Sequence, residues 1–390
     1  MTASAILVAV SGALLVLTYG GFAGVLGAIV RLRRPSQRGY GPTVDASPEA
    51  SAPAITVYFS ALNEEDNVTR RLDNIFETEY DASKIRVIVV SDGSTDRTAD
   101  RARAYIQSHP GRSINLVELA ETKGPAFAQN LVPSISETEI VVATDADAIF
   151  RRDTLVRLVS PFQDARVAVV GAVVIYQDPS NSSLGYGYGK YRGIERKLRS
   201  WESQLGILVK VDGPCVAYRL SIWQELKPFE ALDQVICLWA QLRQLHAVQA
   251  DDAVCYDWAN QTSAQELRQR ARMTRKALLS TFHRWGLRET LTHPLFSIAL
   301  WLHKLVRFFS PALLIMFLTS ALVQWGLNFL WLLIVLALGL APIRQARKAL
   351  YAFGLAQVSF ALGLWSWAMG DKTGAYAPTR TLKGSQSRRT

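Results

Sequence analysis

Acidic residues recur at three places in the first half of the chain, each directly after a short apolar run. They are the segments Asn63-Glu64-Glu65, Asp92 to Asp96 and Asp145-Ala146-Asp147. Carboxylates gathered at one edge of a fold repel each other unless a cation or ribose hydroxyls bind them, and hard oxygen ligands favour Mg²⁺ or Mn²⁺. For one acidic residue a helix cap or a solvated surface position is the more common role, but three clusters in the same setting favour a binding site. Asp145 and Asp147 are two residues apart at a strand end, so their side chains diverge, one toward a sugar hydroxyl and the other toward a metal ion carried by a diphosphate.

The apolar runs before these clusters are short, rich in β-branched residues and bounded by polar ones, which predicts strands. The predicted strands are 55–60, 85–90, 114–119 and 140–144. Helical patterns lie between them at 64–76, 95–106 and 125–135, with Ser94 or Thr95 as the expected N-cap of the second. Alternating strands and helices predict an α/β fold with a parallel sheet, and ligands of such sheets bind outside the carboxyl ends of the strands.

The composition indicates that part of the chain lies in lipid. Of 390 residues, 49% are apolar and 19% are charged, and the formal net charge is +10. This charge suits nucleic acid, an anionic membrane surface or a phosphorylated ligand, but the basic residues flank apolar segments, which disfavours a nucleic-acid binder. Cys215, Cys237 and Cys255 are odd in number and lack metal-binding spacing, so we expect reduced, structural thiols.

Three apolar zones predict membrane helices. Residues 5–30 carry no charge and can span, and Arg31, Arg33 and Arg34 behind them predict that the chain continues in the cytoplasm. The zone 308–343 predicts two short spans with a turn near Gly326, and 349–370 a third. This count puts the tail outside, against the basic residues of the tail itself, unless one helix is re-entrant or interfacial. The pattern at 293–307 is typical of a helix at headgroup level.

Several motifs together carry a family resemblance. The segments 59–65, 89–98 and 142–147 resemble family 2 glycosyltransferases of the GT-A fold, whose Asp-x-Asp element is here Asp145 and Asp147. Residues 213–219 resemble the acceptor-side strand of that family. Leu232-Asp233-Gln234 resembles its catalytic acidic pair, and the segment 269–273 its Gln-x-x-Arg-Trp element. With the apolar helices, this is similar to the layout of membrane-bound polysaccharide synthases, the group of cellulose, hyaluronan and poly-N-acetylglucosamine synthases.

The resemblance implies a Rossmann-like GT-A domain that catalyses inverting transfer of a hexosyl or N-acetylhexosaminyl group from a nucleotide-sugar, usually a UDP-sugar, to a growing extracellular polysaccharide. Asp233 would be the general base, Asp147 and Asp145 would bind Mg²⁺ or Mn²⁺, and Arg272 would stabilise the departing diphosphate. The residues implied in donor binding are Ala61, Glu64, Asp92, Lys123, Asp145, Gln269 and Arg272. An N-cap of the helix that follows is the alternative role for Asp233.

Two departures leave the acceptor open. Leu232 replaces an acid, and Met273 replaces the tryptophan on which polymer synthases stack the acceptor. Transfer of one sugar to a lipid-linked acceptor, or an inactive membrane scaffold, are the alternatives. Three tyrosines interleave with glycines, which suits either an acceptor surface or a packed aromatic loop; they are Tyr186, Tyr188 and Tyr191, with Gly185, Gly187 and Gly189. The basic pattern at 266–284 predicts an amphipathic helix that lies on anionic headgroups or presents a solvated face.

These patterns divide the chain into six parts and predict an integral inner-membrane protein with a cytoplasmic catalytic domain. The parts are an N-terminal anchor at 1–31, a linker at 32–54, the GT-A domain at 55–290, an interfacial helix at 291–307, C-terminal membrane helices at 308–370 and a basic tail at 371–390.

Overall fold

The computed structural model describes residues 2–32, 52–177, 183–259 and 262–371, with the backbone alone for 183–192. Most of the predicted linker, nearly all of the predicted tail and the side chains of the tyrosine–glycine segment lie outside these residues. In the described residues, eight strands form one sheet in the order β3-β2-β1-β4-β7-β6-β8-β5. The strands are β1 Ile55–Ala61, β2 Ile85–Asp92, β3 Ser113–Leu119, β4 Ile140–Thr144, β5 Ile149–Phe150, β6 Val167–Gln177, β7 Cys215–Arg219 and β8 His246–Trp258.

The helices fall into a set that covers the sheet and a set of apolar helices at the two ends of the chain. They are α1 Ala3–Val16, α2 Phe22–Leu32, α3 Val68–Phe76, α4 Thr98–Ser108, α5 Pro125–Ile135, α6 Thr154–Val159, α7 Ser183–Gln204, α8 Leu232–Leu242, α9 Ser263–Arg284, α10 Leu287–Thr292, α11 Pro294–Ala299, α12 Val306–Phe308, α13 Ser310–Trp325, α14 Leu327–Leu340 and α15 Arg344–Ala368. Two π-helical turns, Leu17–Gly21 and Leu300–Leu305, join α1 to α2 and α11 to α12.

The four predicted strands are confirmed, and β1, β2, β3 and β4 pair in parallel. Alternate side chains of β1 enter opposite cores. Val57 and Phe59 pack with α3, α4 and α6, whereas Tyr58 packs with α5 and α8. The sheet is therefore the middle layer of three, and apolar residues fill both sides. The strand β7 then pairs antiparallel with β4, which the sequence patterns did not predict.

Two predicted helix starts are wrong by a turn. The helix α3 begins at Val68 rather than at 64, and α4 begins at Thr98 rather than at 95. The expected caps Ser94 and Thr95 also do not cap α4. Instead, a carboxylate oxygen of Asp96 accepts the backbone N–H of Thr98 at 2.9 Å. The residues before each helix form loops because their polar groups bond to the neighbouring loop.

Two apolar helices in the described residues are long enough to cross a membrane. They are the continuous helix Ala3–Leu32 and α15. A third candidate is a bent pair, Pro294–Phe308 with Ser310–Trp325, which changes direction by 69°. The turn predicted near Gly326 is confirmed, since α13 ends there and the shorter apolar α14 follows.

The helix α15 lies along α9, which carries several of the predicted site residues. The Tyr351 hydroxyl is 2.7 Å from the Ser263 hydroxyl near the start of both helices. Just after α15, Asp371 forms an ion pair with Arg275. The last described residue therefore lies beside α9, and the side of the membrane on which the tail lies stays a prediction.

The charged residues of the predicted interfacial helix face the protein. His303, Lys304 and Arg307 are all buried, and each contacts Glu195 of α7. Of the apolar residues of this stretch, Leu295, Ile298 and Trp301 are exposed, whereas Phe296, Leu300 and Leu305 are buried. Neutralisation by buried carboxylates explains why these charges turn inward.

The three cysteines, Cys215, Cys237 and Cys255, are free and buried, as expected.

Candidate active site

The loops after β1 and β2 form one bonded unit at the carboxyl ends of the strands. The backbone N–H of Thr95 donates to Asn63 Oδ1 at 2.8 Å, and the Asn63 N–H donates to Ser94 Oγ at 3.2 Å. The Glu64 N–H donates to Thr98 Oγ1 at 2.8 Å. These bonds hold each loop against the other, so the edge of the sheet keeps its shape where the sequence predicts donor binding.

Ala61 and Glu64 both lie at this edge but offer different groups. Ala61 is almost fully buried, and its carbonyl oxygen accepts the Ser94 hydroxyl at 3.3 Å. Only its backbone is therefore close to the loop surface. Glu64 is half-buried, and its Oε2 accepts the Asn67 side-chain amide at 2.5 Å.

Asp92, at the end of β2, is buried and shapes the loop before α5. Its Oδ1 accepts the Lys123 N–H at 2.8 Å and its Oδ2 accepts the Gly124 N–H at 2.9 Å. The predicted pair of Asp92 and Lys123 is thus brought together through the Lys123 backbone. The Lys123 ammonium lies 5.0 Å from the centre of the half-exposed Phe127 ring.

The Asp145–Asp147 turn follows β4 directly, with Asp145 exposed, Asp147 half-buried and Ala146 buried between them. Beneath the turn lies the fully buried Arg71 of α3, which donates to the Ala148 carbonyl oxygen at 2.9 Å. Burial lowers the pKa of Arg71 to about 10, although Asp145 and Asp147 act in the opposite direction. The guanidinium remains charged at neutral pH and supports the turn from below.

Asp92 and Asp145 lie on either side of Tyr58 in β1. Burial raises the pKa of Tyr58, and both carboxylates raise it further, because each lies close enough to disfavour a second negative charge. The acidic ends of β2 and β4 therefore share one stretch of the sheet edge.

Asp233 joins this edge through β7. Thr144 pairs with Cys215 in the antiparallel ladder, and the Thr144 hydroxyl donates to the Pro214 carbonyl oxygen at 2.7 Å. A methyl group added to the next residue, Gly213, would lie 3.7 Å from Asp233 Oδ2. These contacts connect the end of β4, just before the Asp145–Asp147 turn, to Gly213, which lies next to Asp233. Asp233 is not the helix cap, because α8 begins at Leu232 and Ala231 is the N-cap.

The predicted donor-binding residues Gln269 and Arg272 are half-buried on α9 and lie three residues apart, on one face of the helix. Lys276 lies one turn further along α9, and the shift of its pKa shows which charges are close to this part of the helix. Burial lowers the pKa of Lys276 to about 8, Arg272 lowers it further and Asp233 raises it. Arg272 and Asp233 therefore both lie close enough to Lys276 to act electrostatically on its ammonium group.

The acidic turn fits a divalent cation shared with a diphosphate. Among the residues that the structure describes, no three His, Cys, Asp or Glu side chains form a set able to hold a metal ion by themselves. Asp145 and Asp147 offer two accessible hard-oxygen ligands, and Mg²⁺ is commonly held by one or two carboxylates together with substrate phosphates. A complete protein cage is therefore not needed.

Two residues of this site escaped the sequence patterns. Arg71 occupies a position of the apolar face of α3, between Val68 and Leu72, where a charge is unusual. Lys210, which pairs with Asp233 at 2.9 Å, stands alone in an apolar run. A lone basic residue within a buried pattern was the available signal in both cases.

Comparisons with known proteins bear on the family and the fold of the chain. Residues 56–225 match the model of Glycosyl transferase family 2. The chain is 32% identical over 190 residues to an N-acetylglucosaminyltransferase of Rhizobium meliloti (strain 1021), which covers 46% of this chain and 43% of that protein. It is 26% identical over 156 residues to a beta-monoglucosyldiacylglycerol synthase of Nostoc sp. (strain PCC 7120), covering 40% and 32%. The aligned part spans less than half the length of each of these relatives.

A shorter relative and a solved structure extend the comparison. An N-acetylglucosaminyltransferase of Bradyrhizobium elkanii is 32% identical over 124 residues, which cover 31% of this chain and 67% of that protein. A mannosyltransferase of Pyrobaculum calidifontis, solved with GDP-Man and Mn²⁺, superposes with a TM-score of 0.71 at 22% identity, covering 94% of this chain and 99% of that one. The chain belongs to glycosyltransferase family 2 and has the GT-A fold.

Proposed function

We propose that this chain is a membrane-bound inverting glycosyltransferase that moves a sugar from a UDP-sugar to a growing extracellular polysaccharide at the cytoplasmic face of the inner membrane. The observation that supports the proposal is the Thr144 to Pro214 hydrogen bond, which joins the end of β4, just before the Asp145–Asp147 turn, to the segment whose Gly213 lies next to Asp233. A metal-binding acidic pair and a candidate base at one sheet edge are the parts that inverting transfer requires. The arginines that follow the N-terminal helix support the cytoplasmic placement.

In the proposed reaction, Asp233 accepts the proton of the acceptor hydroxyl while that oxygen attacks the anomeric carbon. The bond from the anomeric carbon to the diphosphate breaks, and the nucleoside diphosphate leaves. Arg272, which like Asp233 lies close enough to Lys276 to shift its pKa, would stabilise the charge that develops on the leaving group. Mg²⁺ or Mn²⁺ held by Asp147 and Asp145 would supply further positive charge to the diphosphate.

The donor would occupy the edge formed by β1, β2 and the loop before α5. Glu64 and the backbone of Ala61 would face the nucleoside on one side. Asp92 and Lys123, joined at 2.8 Å, would close the other. The structural neighbour was solved with GDP-Man, so a GDP-sugar is the main alternative to a UDP-sugar.

Transfer of one sugar to a lipid-linked acceptor is the second candidate function. Met273, in place of the tryptophan that would stack a polymer, is 43% exposed. The helix α9, which carries Arg272, packs along the apolar α15, and the Nostoc relative is named for a lipid product. These observations favour an acceptor that arrives from the membrane.

The test uses the full chain purified in detergent, a panel of UDP- and GDP-sugars, and Mn²⁺ or Mg²⁺. Release of nucleoside diphosphate supports a transferase, and no release from any donor supports the inactive scaffold. We expect Asp147→Ala to lower the rate at least about 100-fold. Asp100→Ala is the matched control because Asp100 is exposed on α4, in an ion pair with Arg103.

An unchanged rate in Asp147→Ala would rule out the metal assignment. The size of the product separates the two acceptor classes. A ladder of long chains supports the polysaccharide, and a single added sugar on lipid supports the second candidate.

A further inference from the structure

The side chain of Asp233 is held on one side by a lysine. Lys210 Nζ lies 2.9 Å from Asp233 Oδ2, and the two side chains are 15% and 14% exposed. The backbone is fixed as well, because the Val211 N–H donates to the Asp233 carbonyl oxygen at 3.1 Å. Gly213 lies against the same carboxylate, 3.7 Å from Oδ2 to an added methyl carbon. Among the described residues, none donates a hydrogen bond to Oδ1.

We propose that Lys210 is a positioning residue, which binds Oδ2 of Asp233 and leaves Oδ1 as the oxygen that receives the acceptor proton. This inference rests on the proposed function. The proton of the acceptor hydroxyl passes to Oδ1, the acceptor oxygen bonds to the anomeric carbon, and the nucleoside diphosphate departs with the electrons of the broken bond. Lys210 keeps its proton throughout and acts only through Asp233.

The segment 207–214, between α7 and β7, fixes the position of Lys210. Its neighbours Val209 and Val211 are fully buried, so the backbone on either side of the lysine is anchored in the core. Two residues further, Asp212 forms an ion pair with Arg199 of α7 at 2.5 Å. The segment that carries Lys210 is therefore fixed at several points, and it places the Lys210 ammonium next to Asp233.

Buried charges connect this segment to the apolar helices. Arg199 lies 3.8 Å from Glu195, which accepts a hydrogen bond from Arg307 at 2.9 Å and pairs with Lys304. Glu202, one turn beyond Arg199, contacts His303 at 2.6 Å. We call these residues the ionic cluster; its members are Glu195, Arg199, Glu202, Asp212, His303, Lys304 and Arg307.

The ionic cluster ties the 207–214 segment to the bent apolar pair that begins at Pro294. Burial alone would raise the pKa of Glu195, but Lys304, His303 and Arg307 hold it well below its usual range, so this carboxylate stays charged. A buried cluster of opposite charges resists rearrangement because opening it would leave a buried ion without a partner. Lys210 is thus placed relative to a rigid frame on the membrane side of the site.

The experiment compares four variants of the full chain in membrane vesicles, which retain the native acceptor. They are Lys210→Met, Lys210→Arg, Asp233→Asn and the double variant Lys210→Met with Asp233→Asn. The nucleotide-sugar is the one that the wild type turns over fastest, and kcat and the donor KM are measured separately. Exposed Lys197→Met on α7 is the matched control.

We expect Lys210→Met to lower kcat at least about tenfold while the donor KM changes less than about twofold, since a small displacement of a catalytic group is costly. Lys210→Arg should restore most of the rate. In the Asp233→Asn background, Lys210→Met should have no further effect on kcat. Binding of UDP or GDP with Mn²⁺ should be unchanged, which shows that the variant is folded.

Three results would overturn the inference. They are a wild-type kcat in Lys210→Met, a tenfold loss that persists in the Asp233→Asn background, and no rescue by arginine. If Lys210→Met does not fold, Lys210→Gln replaces it with the same expectations. Unchanged turnover in Asp233→Asn would remove the base assignment itself, and a wild type that turns over no nucleotide-sugar would overturn the proposed function together with this inference.

Discussion

The Thr144 hydroxyl donates to the Pro214 carbonyl oxygen at 2.7 Å and, on its other side, accepts a hydrogen bond from Arg71 at 2.9 Å. One side chain thus joins the strand that ends in the Asp145–Asp147 turn to the segment that lies against Asp233. The candidate metal-binding pair and the candidate base come from distant parts of the sequence. The two parts are connected because the buried hydrogen bonds from Arg71 to Thr144 and from Thr144 to Pro214 link β4 to the start of β7.

Replacement of Arg71 should test whether these hydrogen bonds stabilise the protein. Arg71 is fully buried, and its guanidinium donates to Thr144, Asn74 and the Ala148 carbonyl oxygen. Arg71→Met removes one buried hydrogen bond at each of these three acceptors, so we expect the free energy of unfolding to fall by about 2–4 kcal/mol. Thermal unfolding in detergent measures the change.

The adjacent Arg70 is the control, because it is exposed and bonds only to Asn67 among the described residues. Arg70→Met should leave the unfolding midpoint nearly unchanged. Equal midpoints for the two variants would mean that the buried guanidinium does not stabilise the turn.

Gly93 should tolerate no side chain. Its φ is +67°, and an added methyl carbon would lie 2.4 Å from backbone atoms of both Glu121 and Thr122. The obstacle is backbone rather than a movable side chain, so Gly93→Ala should push the loop before α5 away from Asp92. We expect a loss of at least about 2 kcal/mol in stability and weaker binding of UDP or GDP.

Gly111 provides the comparison, since an added methyl group there meets nothing within 4 Å. Gly111→Ala should unfold at the wild-type midpoint and bind nucleotide normally. Calorimetric titration with Mn²⁺ and each nucleoside diphosphate measures binding. Normal nucleotide binding in Gly93→Ala would argue against a donor site at this loop.

Lys276 should make the free energy of unfolding depend on pH in the alkaline range. Its pKa falls from the usual 10.5 to about 8, through burial first and then Arg272 and Arg275, while Asp233 opposes the shift. Between about pH 8 and 10.5 the amine is neutral in the folded protein and charged in the unfolded chain. The unfolded chain then binds more protons, so rising pH favours the folded state.

We expect the stability of the wild type relative to Lys276→Met to increase by about 1–3 kcal/mol between pH 7 and pH 10. Unfolding midpoints of both proteins across this range provide the measurement. The exposed Lys197→Met variant should track the wild type at every pH. Parallel curves for wild type and Lys276→Met would contradict the lowered pKa.

The strands and their acidic ends could be predicted from sequence because both signals are local. Runs of β-branched residues mark each strand, and the polar residues that follow mark its carboxyl end. The starts of α3 and α4 could not, since Asn63 and Asp96 use their side chains on loops that are distant in sequence. Lys210 was missed for a similar reason, because its partner Asp233 belongs to another element.

In the apolar helices, too, local features could be predicted from the sequence and contacts with distant residues could not. Hydropathy located the apolar runs and the turn at Gly326. It did not predict that α15 lies along α9 or that His303 and Lys304 face inward, because both depend on partners elsewhere in the chain. Apolar content is a local property, whereas the face that a helix buries is decided by what it packs against.

The close approach of α15 to α9 depends on Gly363. A methyl carbon added there would lie 2.6 Å from Thr274 Cβ and 2.7 Å from the Ala271 carbonyl oxygen, so the two helices could not keep their distance. Gly363→Leu should separate them and lower stability by about 1–3 kcal/mol, the usual cost of overpacking. Because Ala271 is the neighbour of Arg272, we also expect nucleoside diphosphate release to fall.

Gly354 on the same helix is the matched site, since an added methyl carbon there meets nothing within 4 Å. Gly354→Leu changes apolar volume equally but should keep both the unfolding midpoint and the rate of the wild type. The unfolding midpoint in detergent and the rate of diphosphate release are measured side by side for both variants. If Gly363→Leu had the same unfolding midpoint and the same rate of diphosphate release as Gly354→Leu, α15 would not hold α9 in place. The position of Arg272 would then be set by the sheet domain alone.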